Sequence, residues 1–79
     1  MNKTLQQEKD FLLLIESHKR VIYKVCYMYA TDKEQLDDLY QEIVMNLWRA
    51  YPSFRGESSA ATWVYRISLN TCICLLYTS

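Results

Sequence analysis

The sequence has very few residues that break helices or form tight turns. Its 79 residues include one glycine, Gly56, and one proline, Pro52. Because β-hairpins depend on such residues at their turns, this scarcity argues against a hairpin-rich sheet. The composition is 51% hydrophobic and 23% charged, which is typical of a globular chain. We therefore predict an all-α fold, close to the lower size limit for a single apolar core without staples.

The residues that usually build catalytic and metal sites are also scarce. The only histidine, His18, lies on an apolar stripe, and the cysteines Cys26, Cys72 and Cys74 form no CxxC pair. This pattern suits neither a zinc site nor a disulfide framework, and it favours reduced thiols in a cytoplasmic protein. No glycine-rich phosphate loop is present, so an enzyme is disfavoured and no cofactor or metal is expected. We interpret His18 as a packed, hydrogen-bonded side chain rather than a ligand.

Long hydrophobic runs and net charge are absent as well. The apolar run at residues 11–15 is too short for a signal sequence or a membrane span, so no membrane insertion is expected. The formal net charge is zero, but residues 31–46 contain five acidic residues and one lysine. The chain therefore has an acidic segment between mildly basic flanks.

Three segments show the 3.6-residue periodicity of amphipathic helices, and we predict that they pack as a compact bundle. After a polar lead-in at 1–9, the helices are expected near residues 10–30, 32–50 and 59–73. The inner face of the third is predicted to carry Ala60, Trp63, Val64, Ile67, Thr71 and Cys74.

Residues at the predicted helix ends support these boundaries. Thr31 and Glu34 are spaced as a capping box at the start of the second helix, and Pro52 ends that helix. Either Ser58 or Ser59 can cap the third helix.

The second helix carries an unusual outer face, which we interpret as a docking surface for a basic partner. Acidic residues lie there beside an exposed methionine and tryptophan, types that are enriched at interfaces. The alternative is that the tryptophan folds over its own helix and covers the edge of the core. The residues of this face are Asp38, Gln41, Glu42, Met45 and Trp48.

The third helix has a polar outer line formed by Thr62, Arg66 and Asn70, with Trp63 and Tyr65 near its margins. A cation for phosphate, rings for stacking and an amide for a base edge are typical of single-stranded nucleic acid binding. Taken alone, this pattern is a weak indication.

Residues 37–72, DDLYQEIVMNLWRAYPSFRGESSAATWVYRISLNTC, resemble the first domain of bacterial sigma factors of the extracytoplasmic-function (ECF) group. The shared elements are D-x-x-Q-E, then SFRGES, then TW-x-YRI-x-x-N. Their order and spacing, across about residues 10–73, make the resemblance specific.

The resemblance implies two partners and a location in the cytoplasm. The acidic helix would bind core RNA polymerase, at the clamp coiled coil of its largest subunit. The Pro/Gly loop and the following helix would bind the melted non-template strand of the promoter −10 element and capture an extruded base. An anti-sigma factor is a further expected partner. The implied DNA-binding residues are Arg55, Gly56, Glu57, Ser58, Trp63, Arg66 and Asn70.

Core packing and DNA contact stay equally open for Trp63. Two departures from the family pattern are evident: Ala60–Ala61 replaces a larger apolar and a basic residue, and the tail CICLLYTS replaces a basic continuation. We expect residues 74–79 to be a truncation or a foreign junction, without the helix-turn-helix domain for the −35 element. The alternative function is a small helical protein-interaction module that does not bind DNA.

Overall fold

Four α-helices and one short 3₁₀ helix form the computed structural model, which describes residues 2–56 and 58–77, with side chains from residue 5. No strand occurs in these ranges, so the predicted all-α fold is confirmed. The elements are α1 (Asn2–Ser17), α2 (Lys19–Tyr29), α3 (Lys33–Ala50), the 3₁₀ helix (Tyr51–Ser53) and α4 (Ala60–Tyr77).

The first predicted helix is in fact two helices, which meet at His18. The His18 backbone is non-helical (φ −117°, ψ 18°). Its amide donates to both Leu14 O and Ile15 O at 3.1 Å, so the last turn of α1 tightens. The His18 ring nitrogen Nδ1 lies 2.9 Å from Leu14 O and must donate, because a carbonyl only accepts. Residues 2–9 of the predicted polar lead-in belong to α1, which begins at Asn2.

The start of α3 lies one residue later than the predicted capping box. Asp32, not Thr31, is the N-cap, and its carboxylate accepts from the Gln35 amide at 2.7 Å. Gln35, not Glu34, reaches back: its Oε1 accepts from the Thr31 amide at 2.7 Å. This arrangement resembles a capping box, except that Gln35 accepts from the amide of the residue before the N-cap.

The start of α4 is capped by Ser59, one of the two predicted serines, whose Oγ accepts from the Thr62 amide at 3.2 Å. The helix extends to Tyr77, beyond the predicted end at residue 73. Cys74, which was predicted to face inward, is exposed, whereas Ser68 and Cys72 are fully buried. The Ser68 hydroxyl donates to Val64 O at 2.7 Å, and this bond satisfies the hydroxyl inside the core.

The core lies between α2, α3 and α4, with α1 covering one end. Its fully buried apolar side chains are Ile22, Val25, Cys26, Ile43, Leu47, Val64 and Cys72. Phe11 and Ile15 are the buried residues of α1, while Leu12 and Leu13 are exposed. The packing of α2, α3 and α4 therefore positions the surfaces described next.

Candidate nucleic-acid interface and docking face

A pocket of about 420 Å³ opens where the loop after the 3₁₀ helix meets α4. We name it the loop pocket, and its lining residues are Ser53, Phe54, Arg55, Ser58, Trp63 and Arg66. Four of them, Arg55, Ser58, Trp63 and Arg66, are predicted DNA-binding residues. Both arginines are exposed, and neither forms an ion pair with another side chain that the structure describes. Within residues 5–56 and 58–77, an ion pair joins Glu16 and Lys19 at 3.8 Å.

The apolar wall of the loop pocket is a pair of stacked rings. The Phe54 and Trp63 centroids lie 4.6 Å apart with an interplanar angle of 29°. Trp63 also contacts Tyr51, with ring centroids 6.4 Å apart, and is half-buried. Trp63 thus belongs to the core edge and to the pocket at once. Phe54 did not emerge from the sequence as a site residue, although an aromatic beside Arg55 in a loop is a usable signal.

Gly56 shapes the loop beside this pocket. Its φ is +73°, in the left-handed region that glycine adopts without penalty. A Cβ built on Gly56 would meet nothing within 4 Å, so the backbone here borders open space. The predicted site residue Glu57 lies outside the described residues.

Asn70, the remaining predicted DNA-binding residue, does not line the loop pocket. It lies one turn further along α4 and lines a separate cavity of about 440 Å³ between α3 and α4. We name this cavity the α3–α4 groove. The residues that line it from α3 are Glu42, Asn46, Arg49 and Ala50. Four members of the predicted DNA-binding set therefore line the loop pocket and Asn70 lines the α3–α4 groove, whereas Gly56 lines neither cavity.

A chain of hydrogen bonds crosses the α3–α4 groove. The Thr71 hydroxyl donates to Ile67 O at 2.7 Å, and Asn46 Nδ2 donates to Thr71 Oγ1 at 2.8 Å. Arg49 then donates from NH1 to Asn46 Oδ1 at 3.2 Å. This network ties α3 to α4. Asn46 was not found from the sequence, because a single asparagine on a helix gives no pattern.

The predicted docking face lies along α3. Asp38 and Gln41 are exposed, and Met45 and Trp48 keep 47% and 39% of their surface accessible. Trp48 is also packed, with its ring centroid 4.9 Å from that of Phe11 and 6.4 Å from that of Tyr51. Trp48 therefore covers the edge of the core, and its role in docking stays a prediction.

Glu42 differs from the rest of the docking face. It is half-buried and lines the α3–α4 groove, so its carboxylate lies at the border between the two surfaces.

The described residues offer no group of three or more histidine, cysteine or acidic side chains that could hold a metal ion. Burial, and then the neighbouring Cys72, raise the pKa of the Cys26 thiol to about 11, and burial also raises the pKa of Cys72. Both thiols are therefore protonated and poorly nucleophilic near neutral pH. Across the described helices, none is long and apolar enough to cross a membrane.

Comparison with known proteins identifies the family. Residues 14–76 match the family described as Sigma-70 region 2. The chain is 35% identical over 71 residues to the ECF RNA polymerase sigma factor SigG of Mycobacterium tuberculosis, covering 90% of this chain and 19% of that protein. It is 32% identical over 66 residues to the ECF RNA polymerase sigma factor SigX of Bacillus subtilis, covering 84% of this chain and 34% of that protein.

A third relative, the RNA polymerase sigma-H factor of Pseudomonas aeruginosa, is 33% identical over 64 residues, covering 81% of this chain and 33% of that protein. The chain thus spans about a third, or less, of the length of these relatives. No solved structure matches it significantly. The helical bundle, the SFRGES loop and these matches together place the chain in the Sigma-70 region 2 family, among sequences of the ECF group.

Proposed function

We propose that this domain is a transcription initiation module that binds core RNA polymerase through the α3 docking face and captures a base of the melted −10 element in the loop pocket. The observation that carries the proposal is the composition of the loop pocket, where two exposed arginines flank a stacked aromatic pair. Its place of action would be the cytoplasm, where the polymerase transcribes DNA.

The loop pocket has the chemistry that a single-stranded nucleotide requires. Arg55 and Arg66 provide positive charge for phosphates, and the Phe54–Trp63 pair provides a flat apolar wall for a base. A captured base must leave the stack, which costs a few kcal/mol. A pocket that is formed before the base binds recovers more of that free energy than an open surface does. Gly56 leaves the loop backbone open to close approach by the nucleotide.

The α3 docking face suits a different partner. Asp38 is exposed on the same helix as the partly exposed apolar side chains of Met45 and Trp48, a combination that fits a basic protein surface rather than DNA. This face and the loop pocket share no lining residue, so each can be changed by substitution without altering a residue of the other.

DNA binding is tested with fluorescein-labelled single-stranded decanucleotides, selected from a random pool by the chain itself, and measured by anisotropy at several salt concentrations. Single strands should bind better than duplexes. For Arg66→Ala we expect weaker binding to every sequence and a salt slope reduced by about 0.7, the contribution of one phosphate contact on a single strand. The matched control is Arg20→Ala, which removes an exposed arginine of α2 outside the loop pocket.

Polymerase binding is tested by titrating core enzyme with the Asp38→Ala and Gln41→Ala variants. Loss of one partner in a desolvated charged contact typically costs about 2–5 kcal/mol, so Asp38→Ala should weaken binding strongly while helicity is retained. The control is Glu8→Ala, an exposed acidic residue of α1. Unchanged affinity in both α3 variants would exclude this face. Polymerase binding without any single-strand binding would instead favour a protein-interaction module.

A further inference from the structure

We propose that the outer surface shared by α2 and α3 is a pairing surface for a second copy of this chain, related to the first by a two-fold axis. The pairing goes beyond the proposed function and does not depend on it, since it involves no contact with DNA or polymerase. We name this surface the α2–α3 face. Its residues are Lys19, Arg20, Tyr23, Lys24 and Tyr27 from α2, and Glu34, Asp37, Tyr40 and Gln41 from α3.

Two stacked tyrosines mark the centre of the α2–α3 face. Tyr23 of α2 and Tyr40 of α3 have ring centroids 4.6 Å apart and an interplanar angle of 22°. Both side chains are half-buried, so each keeps part of its surface accessible. Tyr27 is 70% exposed, and its ring centroid lies 6.4 Å from that of Tyr23. The centre of the face therefore offers the aromatic surface that is enriched at protein interfaces.

Opposite charges precede the two central tyrosines at the same spacing. Arg20 lies three residues before Tyr23, and Asp37 lies three residues before Tyr40. Residues three apart on a helix share one side, so each charge lies beside its tyrosine, about 4.5 Å further along the helix axis. Both charges are exposed, and neither forms an ion pair within residues 5–56 and 58–77. Each is therefore available to a partner.

The directions of the two helices place these charges at opposite ends of the face. α2 ends at Tyr29 and α3 begins at Lys33, and a connection this short joins antiparallel helices. The chain runs toward the connection in α2 and away from it in α3. Arg20 therefore lies on the far side of the tyrosine stack from the connection, and Asp37 lies on the near side.

A two-fold axis through the tyrosine stack makes the face complementary to itself. The rotation exchanges the two ends, so Arg20 of each copy lies opposite Asp37 of the other. The cavity of about 470 Å³ that Arg20 lines contains three cations and no acidic side chain, whereas Glu34 adds negative charge one turn before Asp37. A nucleic acid or an acidic protein would match only the positive end. A second copy of the chain matches both ends at once.

The α2–α3 face is small, so the pairing should be weak. α2 has 11 residues and is about 16 Å long, and two adjacent helices are together roughly 20 Å wide. Such a patch is well below the roughly 800 Å² per partner of a standard interface. We expect a dimer with a dissociation constant on the order of 100 μM, which separates on dilution.

Sedimentation velocity of the chain between about 5 and 500 μM, at low and high salt, measures the pairing. Wild type should shift from monomer toward dimer with concentration, and salt should weaken the shift because it screens exposed ion pairs. Arg20→Glu and Asp37→Lys should each raise the dissociation constant about tenfold or more, since each replaces an attraction by a repulsion at two symmetry-related places. Lys9→Glu and Glu8→Lys make matching charge reversals on exposed α1 and should leave it unchanged.

An equimolar mixture of the two face variants tests the two-fold arrangement. When an Arg20→Glu chain pairs with an Asp37→Lys chain, one contact is the original ion pair and the other is the same pair with its charges exchanged. The mixture should therefore recover the association of wild type, while each variant alone stays largely monomeric. Far-ultraviolet circular dichroism verifies that all variants keep their helices.

Three results would overturn the pairing surface. They are a wild type that stays monomeric throughout the range, association that persists in either face variant, and a mixture that associates no more than its separate components. Weakening by Arg20→Glu alone would mean that the positive end contacts some other acidic surface. None of these results bears on single-strand or polymerase binding, which is measured at concentrations below those at which the chain pairs.

Discussion

The α3 docking face and the loop pocket are built in different ways. The docking face is presented by a single helix, whose periodicity sets which side chains share a surface. The loop pocket is assembled from the 3₁₀ helix, the loop and α4, and it depends on ring stacking between Phe54 and Trp63. A surface on one helix persists wherever that helix forms, whereas a composite pocket exists only when the tertiary packing does.

The largest expected effect is a loss of stability of the whole domain, on which both surfaces depend, when a core side chain is shortened. Leu47 is fully buried in α3, the helix that carries the docking face and leads into the 3₁₀ helix beside the loop pocket. We expect Leu47→Ala to lower the free energy of unfolding by about 2–5 kcal/mol, because it leaves a cavity in the core. The matched control, Leu13→Ala, removes a 68% exposed leucine and should change stability by less than about 0.5 kcal/mol. Urea unfolding followed by far-ultraviolet circular dichroism measures both, and similar midpoints would contradict the packing described.

Alkaline pH tests whether the two regions unfold as one unit. Burial raises the pKa of Cys26 from 9.0 to about 11, so the folded chain keeps this proton to higher pH than the unfolded chain. Unfolding therefore releases a proton between pH 9 and 11, and the free energy of unfolding falls by up to about 2–3 kcal/mol across that window.

The measurement is urea unfolding at several pH values, followed both by circular dichroism and by tryptophan fluorescence. The two transitions should coincide if the domain is one cooperative unit. Cys26→Ala should show a shallower decline from pH 9 to 11, since the titrating thiol is gone. An identical pH slope in wild type and variant would show that Cys26 does not account for the decline.

Phe54→Ala should separate the two regions functionally. It removes one ring of the stacked wall, so single-strand binding should weaken by about 1–3 kcal/mol, the usual range for a base–aromatic stack. Binding to core polymerase should not change, because Phe54 does not lie on the α3 docking face. Tyr27→Ala, which removes a 70% exposed ring of α2, is the control for loss of an aromatic residue. Equal losses in both assays would mean that the regions are not independent.

The smallest expected effect concerns the loop backbone. Gly56→Ala should destabilise the domain by about 1–2 kcal/mol, because alanine is strained at the left-handed φ of +73°. The added methyl group meets no non-adjacent residue within 4 Å, so the penalty comes from its crowding of the local backbone. Gly56→Asn should cost less, since asparagine tolerates this region better. If the asparagine variant is the less stable of the two, the strain explanation is wrong.

Much of the fold could be predicted because it depends on local periodicity. Ile22 and Val25 in α2, and Ile43 and Leu47 in α3, recur at helical spacing, and all four are fully buried. The break at His18 could not be predicted, since the apolar stripe continues through it and neither glycine nor proline marks it. The cap of α3 was misplaced by one residue because Thr31 and Asp32 are both competent caps.

The candidate site was only partly predictable, because local periodicity places residues on one helix but does not place two helices side by side. Residues on one helix face, such as Asp38 and Gln41, follow from spacing alone. The division of Arg66 and Asn70 between two cavities depends on where α3 lies beside α4, and the Asn46–Thr71 bond joins residues 25 positions apart. No single-helix pattern contains that information.

The aromatic contacts described above also have an optical consequence. The chain contains two tryptophans, Trp48 on the α3 docking face and Trp63 in the loop pocket, each with its ring centroid 6.4 Å from that of Tyr51. Replacing either tryptophan with phenylalanine keeps an aromatic ring and leaves a single indole fluorophore. Trp48 emission would then respond to a protein partner and Trp63 emission to a stacked base. The domain therefore carries one intrinsic fluorescent reporter on each of its two surfaces.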